Sequence, residues 1–365
     1  MTLLLNDQDV AQVLPMKDCI AALDGAFRDL ASGAAVNAPR RDSFMVSSRP
    51  DGYYSFKTIE GGLERLGVVA QRINSDLITH PGVDGVTRRV KVPAAPGNRY
   101  VGLVFLYSSE TLELLAIMTD GHLQRMRVAG TTGVGAQYLA RDDAQTAALL
   151  GSGWQAETAA WALAAVRPLS VIKVFSPNRE HRTAFAQRIG TDLEIDVIAA
   201  ESAEEAVNGA DIVACATNAG GPVVQGEWIG EGTHLTCIRG HELDEEVWRR
   251  SNLIVFSSPG GSEGYANYAT QGFETSHRTA EREGERTVRE DERLGRYRDK
   301  IHFLCDVLTG RAPPRTRSSQ ITLMNKNWGL GIEFASVAHV VYNRACRAGL
   351  GKEIPTGWFS QTSHP

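Results

Sequence analysis

The chain lacks the features that mark several classes of protein. Its 365 residues include five cysteines, an odd number with no CxxC pair, which argues against a disulfide framework and against a metal site. No run of about 18 apolar residues is present, so we expect neither a transmembrane helix nor a membrane partner. The net charge of −5 offers no electrostatic basis for binding nucleic acid. We therefore expect a cytoplasmic globular protein.

Length and hydrophobic pattern predict two domains. A chain of 365 residues contains about two domains at roughly 150 residues each. From Ser43 to Ile117, short alternating runs separated by Gly, Pro and Asn are typical of strands and turns. From about residue 131, short β-branched runs alternate with helical stretches. This alternation indicates βαβ units and a parallel sheet with helices on both faces.

The C-terminal part is predicted to return to the first domain. The sequence GIEFASVAHVVYNRACRAGL is typical of a long, mostly apolar helix, which we expect to pack there. The fold class is therefore α/β, with a parallel-sheet domain at 131–312 and a discontinuous β-rich domain at 1–130 and 313–365. A segment rich in both charges, within about 262–300, is interpreted as a solvated surface excursion.

The sequence AALLGSGWQA carries a dinucleotide-binding pattern. It contains G-x-G-x-x-A, directly after an apolar strand and before a helix. Gly151 permits the tight turn, Gly153 lets the backbone approach a pyrophosphate, and Ala156 keeps the helix close to its strand. The amides at the helix start, with the intervening Trp154 and Gln155, face the phosphates. We therefore predict that these five residues bind a dinucleotide; a tight turn without a ligand is the alternative.

The end of the second predicted strand favours a phosphorylated cofactor. An NAD-binding site usually carries Asp or Glu here, which binds the ribose hydroxyls. This chain has Ser176, followed by Asn178 and Arg179. Small polar groups with a guanidinium suit a 2′-phosphate, which a carboxylate repels. NADP(H) is therefore predicted over NAD(H), the alternative being that Arg179 and Arg182 are solvated residues of the next helix.

A further strand, in ADIVACATNAGG, ends in a polar turn at Thr217 and Asn218. In a doubly wound sheet this carboxyl end faces the nicotinamide side of the crevice. Both residues are therefore predicted to lie against the cofactor, with plain turn chemistry as the alternative.

Taken together, these stretches resemble the ornithine cyclodeaminase/μ-crystallin family. The similarity runs almost from end to end and is most specific in NAPRRDSF, MTDGHLQRMRVAGTTGVGAQYLAR, LLGSGWQA and LTGRAPPRTRSSQITLMNKNWGLGIEFA. The resemblance implies a Rossmann-like domain paired with a discontinuous β-rich domain that binds substrate and builds a homodimer. It also implies hydride transfer between an α-amino or α-imino acid and a nicotinamide, without singling out one reaction.

The resemblance assigns three arginines to the substrate. The family's carboxylate-binding arginine near the N-terminus aligns with Arg41, beside Arg40, and a second one aligns with Arg127. The family's active-site lysine falls at Arg72. Guanidiniums suit a carboxylate, since each can donate a bidentate pair of hydrogen bonds. Without the family pattern, Arg41 and Arg127 would be interpreted as surface ion pairs and Arg72 as a structural salt bridge.

Two departures from the family pattern concern proton transfer. Arginine at position 72 stays charged and, unlike lysine, is a poor proton carrier. Where cyclodeaminases carry an aspartate, this chain has a shorter loop with His241, either a proton carrier or an exposed loop histidine. In MNKNWGLGIEF, Lys326 is the remaining amine near the expected site, and Trp328 is a candidate for ligand contact or interdomain packing.

These observations lead to one main hypothesis and two alternatives. The main hypothesis is an NADP(H)-dependent oxidoreductase acting on the C–N bond of a small α-imino or α-amino acid. Ketimine or cyclic imine reduction and amino-acid dehydrogenation both fit, with catalytic roles for Arg72, Arg127, His241 and Lys326. One alternative is an ornithine cyclodeaminase-type ammonia lyase with tightly bound NAD(H). The other is a μ-crystallin-like protein that binds NADPH and a small ligand.

Overall fold

The secondary structure comes from a computed structural model, which describes residues 1–49, 51–83, 86–257, 262–266, 293, 295–326 and 329–363. The strands are β1 (Thr2–Leu5), β2 (Ala35–Asn37), β3 (Arg40–Val46), β4 (Gly52–Leu63), β5 (Val68–Thr79), β6 (Gly82–Val83), β7 (Val86–Thr87), β8 (Val90–Val92), β9 (Val101–Ser108), β10 (Leu114–Thr119), β11 (Thr146–Leu150), β12 (Val171–Phe175), β13 (Asp196–Ala199), β14 (Ile212–Cys215), β15 (His234–Cys237), β16 (Leu253–Phe256), β17 (Ser262–Ala266), β18 (Ile301–Phe303), β19 (Thr322–Asn325) and β20 (Lys352–Ile354). The α-helices are α1 (Asp7–Val13), α2 (Met16–Ser32), α3 (Asp120–Leu139), α4 (Trp154–Val166), α5 (Arg179–Leu193), α6 (Ala203–Val207), α7 (Glu245–Arg250), α8 (Leu304–Leu308) and α9 (Gly331–Ala348).

A mixed sheet forms the first layer of the molecule. Its strand order is β17-β3-β4-β5-β9-β10-β1-β20, with β2 also paired to β4 and β8 to β5. The strands predicted between residues 43 and 117 are confirmed here as β3, β4, β5, β9 and β10. In β4 and β5, buried and less buried side chains alternate along most of each strand, because successive side chains point to opposite faces. One face of this sheet is therefore turned inward.

A parallel sheet forms the second layer, in the order β13-β12-β11-β14-β15-β19-β16-β18. The apolar runs predicted as parallel strands are confirmed, and the core strands are buried on both faces. From β11 the chain first proceeds to β12 and β13 on one side, and then to β14 and β15 on the other. The reversal at β11 and β14 creates a crevice at the carboxyl ends of these strands.

Three elements cross the domain boundaries expected from the sequence. Strand β19 lies beyond residue 313 yet belongs to the parallel sheet, whereas β17 pairs with β3 in the mixed sheet. Helix α3 runs through the expected boundary between residues 130 and 131. No hydrophobic periodicity marks α3, because it is rich in Gly, Thr and Ala and is buried on almost every side. The two layers therefore share a central helix.

The predicted C-terminal helix is present as α9 and packs against β4 and β5. Its first residue approaches the sheet very closely: a Cβ at Gly61 would lie 2.6 Å from the backbone of Gly331. Glycine at both positions permits this contact. The predicted charged excursion falls mostly outside the described residues, as does Trp328. Within the described ranges, no helix has the length and apolar character needed to cross a membrane.

Candidate active site

A deep cleft of about 2030 Å³ separates the inner face of the mixed sheet from the carboxyl edge of the parallel sheet. Most of the residues predicted to form the site line it: Arg72, Arg127, Gly151, Gly153, Trp154, Gln155, Ser176, Asn178, Thr217, Asn218, His241 and Lys326. Three predicted residues do not belong to this lining: Arg41, Ala156 and Arg179. The fold thus brings together residues that lie up to 254 positions apart, from Arg72 to Lys326.

The turn after β11 has the geometry that a pyrophosphate requires. Gly151 has φ +113°, and a Cβ there would lie 2.5 Å from the carbonyl oxygen of Ala216. A Cβ at Gly153 would meet no described heavy atom within 4 Å, so the space beside the first turn of α4 is open. Ala156 is fully buried in the core behind this turn, so it packs the helix against the sheet and does not line the cleft. The open helix start therefore fits a bound phosphate group.

The end of β12 carries no carboxylate facing the cleft. The Ser176 hydroxyl is 2.8 Å from that of Ser152, and Asn178 caps α5 by accepting a hydrogen bond from the backbone of His181. Arg179 points elsewhere: its side chain is 77% exposed, and its Nη2 lies 3.6 Å from Glu201 Oε1. The prediction that Arg179 contacts a 2′-phosphate is therefore wrong, because helix α5 directs this side chain away from the cleft.

The inner face of β3, β4 and β5 carries a grid of mostly polar side chains. Because successive side chains of a strand point to opposite faces, every second side chain points to the inner face. The strand register aligns these inward side chains in rows across the sheet. The grid comprises Arg40, Asp42 and Phe44 on β3, Ser55, Lys57 and Ile59 on β4, and Arg72, Asn74 and Asp76 on β5. The mixed sheet therefore presents charge, not an apolar surface, to the cleft.

At this wall of the cleft, the structure places Arg40 where the sequence had suggested Arg41. Arg41 follows Arg40 directly in β3, so the two side chains point to opposite faces, and Arg41 is exposed on the outer one. Arg40 lines the cleft and donates two hydrogen bonds, of 2.9 and 2.8 Å, to Asp42. Position in a motif could not separate the two arginines, whereas the strand register does.

Arg72 forms a buried ion pair that also borders the cleft. Its Nε and Nη2 donate to Asp120 Oδ2 at 3.1 and 2.7 Å, and Asn74 donates to the same oxygen at 3.0 Å. Burial lowers the pKa of Arg72, and Asp120 opposes that shift. Nη1 has no hydrogen-bond partner among the described residues. The salt bridge thus fixes the guanidinium and leaves part of it for a ligand.

Arg127, on α3, is held in the same manner by the C-terminal helix. Its Nη1 donates to Glu333 Oε2 at 2.7 Å, and its Nε and Nη2 donate to Gln124. The guanidinium carbon lies 4.8 Å from the ring centre of Phe334, which also contacts Arg72. Both arginines therefore lie against one aromatic ring, within cation–π distance.

Lys326 follows β19 at the carboxyl edge of the parallel sheet. Its ammonium donates a hydrogen bond to the hydroxyl of the buried Thr132. Burial lowers the pKa of Lys326 to about 8, and the neighbouring Cys237 and Glu242 only partly oppose this shift. His241 lies in a short 3₁₀ turn, with Nε2 3.1 Å from the carbonyl oxygen of Ala219. Both candidates for proton transfer are half-buried and line the cleft.

Two site residues were missed by sequence reasoning. Glu242 is fully buried, and its carboxylate accepts four hydrogen bonds: from the amide and hydroxyl of Thr217 and from the amides of Ile238 and Arg239. Burial raises its pKa against the effect of these hydrogen bonds. Lys57 lies in the middle of the grid; the strand alternation in YYSFKTI was the signal that could have located it.

Nearly the whole chain matches one family model. The model described as "Ornithine cyclodeaminase/mu-crystallin family" matches residues 1–349. The chain belongs to this family. A Delta(1)-pyrroline-2-carboxylate reductase of Bacillus cereus is 25% identical over 357 residues, or 96% of this chain and 99% of that protein. An alanine dehydrogenase of Archaeoglobus fulgidus is 25% identical over 360 residues, or 97% of this chain and 98% of that protein.

A solved structure supports the same assignment. The Delta(1)-pyrroline-2-carboxylate reductase of Thermococcus litoralis, in complex with NADH and L-proline, superposes with a TM-score of 0.75 at 27% identity. The match covers 97% of this chain and all of that one. The resemblance seen in the sequence motifs and the predicted α/β fold class are thereby confirmed.

Replacing Glu242 tests its role in holding the turn at Thr217. In Glu242→Gln, an amide NH₂ would face groups that themselves donate hydrogen bonds, so buried donors lose their acceptor. We expect the free energy of unfolding in urea to fall by about 1–3 kcal/mol, and dinucleotide affinity to fall with it. The exposed Glu180→Gln on α5 serves as the control. Wild-type stability and affinity in Glu242→Gln would contradict this role.

Proposed function

We propose that this protein is an NADP(H)-dependent oxidoreductase acting on the C–N bond of a small α-imino or α-amino acid. One observation carries the proposal: a glycine-rich turn with room for a pyrophosphate and a set of fixed guanidiniums line a single cleft. The reductase and dehydrogenase relatives, similar over nearly their whole lengths, support the same reaction class.

The strand order supports one orientation of the dinucleotide. The pyrophosphate fits the turn at Gly151 and Gly153, and the adenosine half then lies on the β12 side, at Ser176. The nicotinamide half falls on the opposite side of the switch point, at Thr217 and the end of β19. When bound there, the nicotinamide supplies or accepts the hydride. This places the reacting carbon of a substrate close to Lys326.

Arginines on the facing wall hold the substrate in this proposal. Arg72 and Arg127 are fixed by their own carboxylate partners, so they need little reorganisation to bind an acid group. Arg40 takes the position first assigned to Arg41. Lys326 protonates the imine nitrogen, or deprotonates the amine in the reverse direction, because a pKa of about 8 lets it exist in both states near neutral pH.

NADP(H) remains the proposed cofactor, although fewer residues support it than the sequence suggested. No carboxylate stands at Ser176 to repel a 2′-phosphate, and His181 lines the cleft beside it. Glu201 lies close by but is engaged with Arg179 and with the buried Arg182. The absence of charge repulsion at Ser176, and not a contact from Arg179, therefore supports the phosphorylated form.

A homodimer is proposed on the outer face of the mixed sheet. Val36, Val69 and Tyr107 are exposed there and lie in one row across β2, β4, β5 and β9. Exposed apolar side chains that lie side by side in this way are typical of a protein interface. The family resemblance implies the same arrangement.

A substrate panel tests the reaction. The purified protein is mixed with NADPH or NADH and either cyclic imino acids or 2-oxo acids with ammonia, and nicotinamide absorbance is followed. We expect oxidation of NADPH with at least one imino acid, and the reverse reaction with the matching amino acid. Ammonia release from ornithine without net cofactor change would indicate a cyclodeaminase instead. Tight NADPH binding without turnover across the panel would indicate a binding protein.

The substitution Ser176→Asp tests the cofactor preference. A carboxylate at the end of β12 repels the 2′-phosphate and accepts a hydrogen bond from a free ribose hydroxyl. We expect NADPH affinity to fall about tenfold or more and NADH affinity to rise, as measured by fluorescence titration. Ser176→Ala, which removes the hydroxyl without adding charge, is the matched control. Tighter binding of NADH than NADPH by the wild type would overturn the preference.

The substitution Lys326→Met tests the proton donor. Loss of a positioned acid lowers kcat by about 10²–10⁴-fold. In the wild type, Lys326 carries its proton below its pKa of about 8, so imine reduction should slow as pH rises through that value, and amine oxidation should speed up. The exposed Lys352→Met should leave both profiles unchanged. Retention of the wild-type pH profile in Lys326→Met would assign proton transfer to another group.

A further inference from the structure

The charge of the cleft is opposite to that of the chain. The protein has a net charge of −5, yet the lining residues include eleven lysines and arginines and only five aspartates and glutamates. Seven of the eleven cations lie between residues 40 and 99, and four of these lie on the mixed-sheet wall: Arg40, Lys57, Arg72 and Lys91. This wall is opposite the turn that fits the pyrophosphate, so the dinucleotide phosphates do not account for its charge.

Three of the cations that line the cleft each pair with a different carboxylate. Arg40 pairs with Asp42, Arg72 with Asp120 and Arg127 with Glu333. By contrast, Asp76 is shared by two lysines: Lys91 at 2.9 Å and Lys57 at 3.7 Å. The other acid group beside Lys57 is Asp42, which already accepts two hydrogen bonds from Arg40, so neither carboxylate belongs to Lys57 alone.

Among the described residues, the ammonium of Lys57 and the Oδ2 atom of Asp76 are the groups of that cluster that form no hydrogen bond. Its side chain is only 7% exposed, and its 3.7 Å distance from Asp76 is longer than a hydrogen bond. Within the described ranges its ammonium donates no hydrogen bond, although it lines the cleft and has three protons to donate. Burial, reinforced by Arg89 and Arg40, pushes the pKa of Lys57 well below its usual value. A buried amine in this state is stabilised by an anion arriving from the cleft.

The position of Lys57 sets the size of that anion. In the register of β4 and β5, Lys57 is opposite Asn74, and the neighbouring Ile59 is opposite Arg72. One such step of two residues is about 7 Å along a strand. An acid group on Arg72 and a second one on Lys57 can therefore belong to one short molecule.

We propose that the substrate carries a second acid group, bound by Lys57 and Lys91, and is thus an imino or amino dicarboxylic acid with a short side chain. The inference rests on the proposed reaction, in which Arg40, Arg72 and Arg127 bind the α-carboxylate. It extends that function by assigning the opposite end of the substrate to the Lys57–Asp76–Lys91 cluster.

Binding without turnover provides the direct test. The protein saturated with NADPH is titrated calorimetrically with succinate and with butyrate, which have equal chain length but differ by one acid group. We expect succinate to bind at least tenfold more tightly. Lys91→Gln, whose side chain is partly exposed, should lower succinate affinity about tenfold or more and change butyrate affinity much less. Lys57→Met should act in the same direction.

The controls separate this inference from the reaction. Lys17→Gln, an exposed lysine on α2, should leave both affinities unchanged. Equal binding of succinate and butyrate by the wild type overturns the second acid-group site, as does an equal loss of both ligands in Lys91→Gln. Preference for succinate in a protein that reduces no imino acid supports the site and overturns the reaction. With NADPH and ammonia, oxaloacetate should likewise be used more efficiently than 2-oxobutyrate, and the ratio of their kcat/KM values should fall in Lys91→Gln.

Discussion

Two buried arginine–carboxylate pairs hold the cleft together. Arg72 reaches Asp120 across 48 positions of sequence, and Arg127 reaches Glu333 across 206. The first pair ties the mixed sheet to the central helix α3, and the second ties α3 to the C-terminal helix α9. A buried charge without its partner is strongly destabilising, so these three elements keep one relative arrangement. The shape of the site and the stability of the fold thus depend on the same contacts.

This arrangement also determines what the guanidiniums can do. Each is held by a carboxylate and lies against the ring of Phe334, so its orientation is set before any ligand enters. Preorganised donors of this kind stabilise a bound anion without the cost of reorienting flexible side chains. Glu242 plays the corresponding part on the opposite wall, where it fixes the turn at Thr217. The buried carboxylates of Asp120, Glu333 and Glu242 therefore position the residues that face the cleft.

Much of the fold and part of the site were predictable, because their signals are local. Alternating and continuous apolar runs located the strands, and glycine spacing located the turn at Gly151. Errors arose where a residue's neighbours in space mattered more than its neighbours in sequence. Arg41 was chosen over Arg40 because a motif does not reveal which face of a strand is inward. Arg179 was placed at the cofactor because a sequence does not show how a helix rotates, and α3 was not predicted because burial on nearly all sides removes hydrophobic periodicity.

The amino-acid sequence by itself determined the family, the α/β class and the glycine-rich turn after β11, since each is marked by motifs and patterns that are local in the chain. Only the tertiary structure decided which cations lie close together, which carboxylates hold them and which ammonium forms no hydrogen bond with the described residues. Those outcomes depend on strand register, helix rotation and burial, and Coulomb interactions follow distance in space instead of separation along the chain. The charge of the cleft is therefore a property of the fold, although every residue that produces it is visible in the sequence.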